Sequence, residues 1–177
     1  MVGFAAGGPE DLAQFCRECG AVFIKPHADF GGKGVARLEP GPETDFEELH
    51  RSCVESGRYL VEEAIVQHPE VSALCPQSVN TLRVVTLWAE GAAKFVYALL
   101  RVGSGEGNVD NISSGGMYTW VGDDGILDFP AFCDRTGLYY DSHPVTGAVF
   151  RGYCLPFSGK PSPYACRAAQ VEPRLGY

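Results

Sequence analysis

Two apolar runs separated by Glu90-Gly91 constrain this chain most. Asn80-Thr-Leu-Arg-Val-Val-Thr-Leu-Trp88 and Lys94-Phe-Val-Tyr-Ala-Leu-Leu-Arg101 are rich in β-branched and aromatic residues. The short Glu-Gly junction makes them an antiparallel hairpin. A hairpin of this size needs further strands and a covering layer to bury its apolar face. The remaining sequence supplies both. Ala21 to Lys25, Val35 to Glu39 and Arg58 to Glu62 read as strands. Met117–Val121 and Ile126–Phe129 read as a second hairpin, and Gly137 to Phe150 as two more short strands. Helices are expected from Pro9 to Cys19, from about Asp45 to Glu55 with Thr44 as cap, and after Pro161-Ser162. Strands outnumber helices, so the expected class is α+β with mainly antiparallel sheets.

The 177 residues bury roughly 70% of the surface exposed on unfolding, so a core needs no disulfides. The seven cysteines are odd in number and scattered. That argues for free thiols in a reducing, cytoplasmic setting. Cys16-Arg-Glu-Cys19 lies inside a helical pattern and lacks the second pair of a zinc ribbon. The short uncharged N-terminus does not read as a signal peptide. No run reaches the ~18 apolar residues of a membrane span. The net charge of −8 disfavours nucleic acid and anionic membranes, which bind basic surfaces. A small anion would need a local cationic or amide site. Two of the four lysines, Lys25 and Lys33, fall in one glycine-rich segment.

That segment is Ile24-Lys-Pro-His-Ala-Asp-Phe-Gly-Gly-Lys-Gly34. A strand-end lysine followed by a glycine loop with a second lysine suits phosphate. It is not a Walker A loop, and a plain turn is the alternative. Leu60-Val-Glu-Glu-Ala-Ile65 ends an apolar strand on two acids. A carboxylate there suits an adenine amino group, or simply solvent. Asn80, Thr81, Arg83 and Arg101 are polar residues in apolar strands. A half-buried arginine there needs a carboxylate or a bound anion. Asn108 to Gly116 mixes Asp110 and Asn111 with Ser114, Gly115 and Gly116, a substrate-holding loop or a turn network. His143-Pro144 suits a turn or a site histidine.

In order, these segments resemble the ATP-grasp superfamily, and more narrowly its sugar-transfer-associated family. The carriers are Ile24-Lys-Pro, Gly31-Gly-Lys-Gly34, Val61-Glu-Glu with Gln67-His-Pro, and Pro76 to Thr86. Leu100-Arg-Val-Gly103, Val109 to Gly116, and His143-Pro with Gly147 complete them. The resemblance implies two small α+β subdomains, about 9–66 and about 77–177, gripping ATP. Lys25, Gly31, Gly32, Lys33 and Gly34 would hold its phosphates. Glu62, Glu63 and the backbone to Ile65 would meet adenine, and Gln67, His68 or Glu70 the ribose. Arg83, Arg101 and Asn111 would be catalytic. Asn80, Asp110, Ser114, Gly115, Gly116 and His143 would lie with the substrate.

The implied chemistry joins a small carboxylate to an amine through an acyl phosphate, in polysaccharide or cell-surface biosynthesis. The family's magnesium ligands are an aspartate on a strand after the final helix and a Glu-x-Asn pair on a later strand. The sequence reaches Tyr177 about where that half is expected to begin, and no Glu-x-Asn pair occurs after Gly116. The resemblance therefore reads as a C-terminally incomplete ATP-grasp domain without its metal strands. A carboxylate–amine ligase, a non-catalytic nucleotide-binding module and an unrelated β-rich protein are the three readings.

Overall fold

The structure, a computed structural model, describes residues 3–4, 7–26, 34–56, 59–156 and 162–171. It divides into two compact units, Met1–Val66 and Gln67–Tyr177.

The first unit runs β1 (Gly3–Phe4), α1 (Pro9–Cys19), β2 (Val22–Pro26), β3 (Ala36–Leu38), α2 (Phe46–Glu55) and β4 (Tyr59–Glu63). Its antiparallel sheet has the order β1-β4-β2-β3. Pro9 opens α1, where its missing N–H costs nothing, and Asp11 accepts from Gly8 N at 2.9 Å. Gly20, at φ 74°, ends it by donating to the Cys16 carbonyl. The cap of α2 is Asp45, one residue later than expected: its carboxylate accepts from Glu48 N at 3.0 Å. Thr44 instead accepts from Gly41 N, so its hydroxyl is committed to the preceding turn. Leu12 and Cys16 pack on Val22 and Val61, with Ile24, Phe46, Leu49 and Tyr59 around them. One face of the sheet is thus the core and the other is open.

The second unit begins with α3 (Pro69–Ser72). It continues through β5 (Thr81–Ala89), β6 (Ala92–Val102), a 3-10 turn (Ile112–Ser114), β7 (Met117–Trp120), β8 (Ala131–Cys133), β9 (Leu138–Tyr140) and α4 (Ser162–Val171). The strands form an antiparallel meander in sequence order. Glu90 (φ 55°) and Gly91 (φ 77°) both take left-handed backbone, the two-residue turn that matches strand twist. Leu82, Val84, Ala98, Leu100, Val102 and Met117 share one face and build the core with Leu74, Leu127 and Phe150. Helix α4 packs beside β5 and β6.

Two expected hairpins are shorter than their patterns suggest. Ile126–Phe129 forms no strand and makes only the isolated bridges Val121↔Leu127 and Ile126↔Cys154, because Leu127 N donates to Tyr153 O instead of extending the ladder. After β9 the chain turns around His143 and is closed by the single bridge Ser142↔Val149.

All seven cysteines are free thiols. Cys16, Cys53, Cys75 and Cys133 are buried, and Cys154 is exposed. Burial pushes the Cys16 thiol up, reinforced by Cys19 and Cys53. The thiolate is the reactive form, so burial and a raised pKa both slow reaction. Maleimide labelling at neutral pH should therefore modify Cys154 in the native protein and spare Cys16 until denaturant is added. Mass spectrometry of timed samples reads this, and labelling of Cys16 as fast as Cys154 would contradict the packing of α1. Among the described residues no helix is long and apolar enough to cross a membrane.

Candidate functional site

In the first unit, the pairing of β2 with β4 sets Phe23 opposite Glu62 and Lys25 opposite Leu60. Alternate residues share a face, so Lys25 and Glu62 are diagonal neighbours on the open side of the sheet. Lys25 Nζ lies 2.5 Å from a Glu62 carboxylate oxygen, with the side chains 35% and 20% exposed. An ammonium has three donors, and this contact uses one. Among the described residues the other two have no acceptor. Pro26 ends β2, and the chain returns at Gly34. A Cβ at Gly34 would stand 2.9 Å from the Pro26 ring, at a φ of +69°. Glycine is required there on both counts. Gly31, Gly32 and Lys33 lie outside the described residues.

Glu63 behaves differently from Glu62. It stands opposite Val22, on the side carrying the helices, and is exposed. The Cys19 thiol is pushed up by burial first, and the charges of Glu63 and Glu18 add to it. The two acids therefore point to opposite faces. Ala64 N closes the ladder on Ala21 O, and the side chain of Ile65 is half exposed.

In the second unit, Thr81, Arg83, Leu99, Arg101 and Tyr118 share the face opposite the core. Arg101 makes a largely buried ion pair with Asp110, Nη2 to Oδ1 at 2.9 Å. Arg101 Nε donates to Thr81 Oγ1 at 3.0 Å. Thr81 in turn donates from both its N–H and its hydroxyl to Asp110 Oδ2. The carboxylate that a half-buried arginine requires is thus Asp110. Arg83 is exposed and makes no ion pair among the described residues. Tyr118, opposite Arg101, donates to Asp134 Oδ1 at 3.1 Å. Burial, then that bond, pushes its hydroxyl up, so it stays a donor.

The other candidate residues sit in the framework around this network. Asn80 is buried; its amide donates to Gln67 Oε1 and to the Val71 and Cys75 carbonyls, and its oxygen accepts from Ser78 and Gly103 N. Gln67 answers by donating to Asn80 O at 2.7 Å. His68 caps α3, accepting from Glu70 N. The Asn111 carbonyl accepts from Ser114 N and Gly116 N, and Gly115 ends the turn at φ 90°. A Cβ at Gly116 would meet the Asp110 carbonyl at 2.4 Å, so the chains touch there. His143 is buried: Nδ1 accepts from Val145 N and Thr146 N, and Nε2 donates to Gly103 O at 2.9 Å.

Sequence reasoning did not find the aromatic row on this face. Tyr118 contacts Phe132, which contacts Tyr139, with centroids 5.8 and 4.8 Å apart. Tyr97 meets Trp120 at 5.0 Å. The signal was the alternation in Met117-Tyr-Thr-Trp120, which puts both aromatics on one side. Among the described residues no group of three or more His, Cys, Asp or Glu is gathered as a metal site. Glu62 and Asp110 already hold cations of the protein itself.

One solved structure, D-alanyl-alanine synthetase A from Vibrio cholerae O1 biovar eltor str. N16961, is similar at 12% identity and a TM-score of 0.38. The match covers 57% of this chain and 27% of that one. No curated protein matches. The family model for sugar-transfer associated ATP-grasp proteins matches residues 10–177. With nearly its whole length matched, the chain belongs to the sugar-transfer associated ATP-grasp family.

Proposed function

We propose that the chain binds ATP and is part of an ATP-dependent carboxylate–amine ligase. The observation that carries this is Lys25 paired with Glu62 on the sheet face opposite the helices, at the end of β2 and just before the glycine and lysine segment in the sequence. In this reading Lys25 and the Gly31–Gly34 segment hold phosphates, and Glu62 with the backbone to Ile65 meets adenine. Glu63 contributes through its main chain, since its side chain faces the helices. Arg101 and Arg83 face the transferred phosphoryl group and the acyl group.

The reaction begins when a substrate carboxylate oxygen attacks the γ-phosphorus and the bond to the β-phosphate oxygen breaks. This gives an acyl phosphate and ADP. An amine then attacks the carbonyl carbon, the amine loses a proton and inorganic phosphate leaves. Cationic side chains lower both barriers by neutralising charge on the transferred group. Magnesium belongs to the family's chemistry, but the described carboxylates are not gathered into a magnesium site. The charge of −8 favours small-molecule partners over nucleic acid. The odd set of free thiols favours a cytoplasmic setting.

Calorimetric titration of ATP into the purified chain tests the reading. Saturable ATP binding is expected, stronger than that of AMP because phosphates meet lysine. No heat from ATP at millimolar concentration would remove the reading. A non-catalytic nucleotide-binding module is the second reading. It is favoured by the commitment of Glu62 and Asp110 to internal cations. ADP release on adding an amino acid or an amino sugar would exclude it.

A further inference from the structure

We infer that Asp110 is a positioning residue for Arg101 and not a contact of the substrate. The inference rests on the reading that Arg101 meets the terminal phosphoryl group. Both Asp110 oxygens are already occupied: Oδ1 by Arg101 Nη2, and Oδ2 by the Thr81 N–H and hydroxyl. The carboxylate is almost fully buried, with 7% of its side chain exposed. Oδ2 accepts two bonds and Oδ1 one, so among the described residues a single lone pair of this nearly buried group is unused.

Arg101 is held along one edge. Nε donates to Thr81 Oγ1 and Nη2 to Asp110, which fixes the plane of the guanidinium. The Nη1 donors and the second Nη2 donor make no hydrogen bond with described residues. They form the end-on fork that matches two oxygens of a phosphate or carboxylate. The anchoring lies on the sheet face opposite Leu100 and Val102, so it adds nothing to the core packed beneath. A buried ion pair is by itself weak evidence for stability. Here it freezes a long, rotamer-rich side chain before any ligand arrives, which lowers the ordering cost of binding. The Asp110 main chain is fixed in turn by Gly116, whose missing side chain lets the two backbones touch.

The test titrates ATP and ADP into the chain and its variants. Arg101→Ala and Asp110→Asn are each expected to lower ATP affinity roughly tenfold, and ADP affinity by less than about twofold. The double variant should lose no more than Arg101→Ala alone, as residues acting through one group do. A purely structural role would lower the melting temperature and affect both nucleotides alike. Thr81→Val removes the bridging hydroxyl and serves if Asp110→Asn does not fold; about a threefold loss of the ATP-to-ADP ratio is expected. Thr81→Ser should restore the ratio. If Arg101→Ala reduces the ratio while Asp110→Asn and Thr81→Val leave it intact, the positioning role is overturned and the nucleotide reading stands. Additive losses in the double variant would make Asp110 a direct contact, which also overturns it. An unchanged ratio in Arg101→Ala would remove the assumed role of Arg101, and the inference with it.

Discussion

Replacing Lys25 by alanine is expected to weaken ATP binding by about ten- to a hundredfold, with little change in thermal stability. A charge-assisted bond to phosphate is worth about 1.5–3 kcal/mol, which corresponds to that range. The stability term is small for a stated reason. The Lys25 ammonium is 35% exposed and its partner Glu62 is partly hydrated, so solvent screens the pair. Glu62 can take up water when the ammonium is gone. Titration calorimetry and a melting curve on the same variant separate the two effects. Unchanged ATP affinity would mean that the open face around Lys25 is not where phosphate binds. A large fall in melting temperature would mean that the pair holds the sheet together.

The second large effect is on folding. Asn80→Ala is expected to destabilise the second unit by about 3 kcal/mol or more. The deleted amide leaves the Val71 and Cys75 carbonyls, Gly103 N–H and Ser78 hydroxyl without the partner they now share. Each buried polar group left unpaired costs about 1–3 kcal/mol. Chemical denaturation followed by circular dichroism measures the loss. A shift below about 1 kcal/mol would mean that water replaces the amide, and that Asn80 is available for a ligand role.

Local chemistry was legible in the residues. Glu90-Gly91 specified a two-residue hairpin turn, and the apolar runs on either side became β5 and β6 with the arginines on one face. Helices α1 and α2 fell where proline, acidic first turns and apolar spacing placed them, with the cap of α2 moved from Thr44 to Asp45, whereas the single turn of α3 in the polar stretch after Gln67 was not expected. Non-local partners were less legible. An arginine in an apolar strand demands an anion, but nothing near Arg101 in the chain says that Asp110 supplies it through Thr81. The buried state of Asn80 and His143 depended on carbonyls and amides brought together only by the fold. Strand patterns at Ile126–Phe129 and after Tyr140 overreached, because a backbone N–H can leave its ladder for a carbonyl such as Tyr153 O.

The opposed directions of Glu62 and Glu63 set a rule for which changes this segment can survive. Substitutions in β4 can be judged one side chain at a time. A deletion or insertion of one residue cannot, because the whole strand inverts its faces when its pairing slips by one position. Glu63 would then stand over Lys25 while Val61 met water and Leu60 turned toward Leu12. Sequence length through Tyr59–Glu63 is therefore under tighter restraint than sequence identity. Natural variation here should appear as exchanged residues, and gaps should fall in the turns on either side.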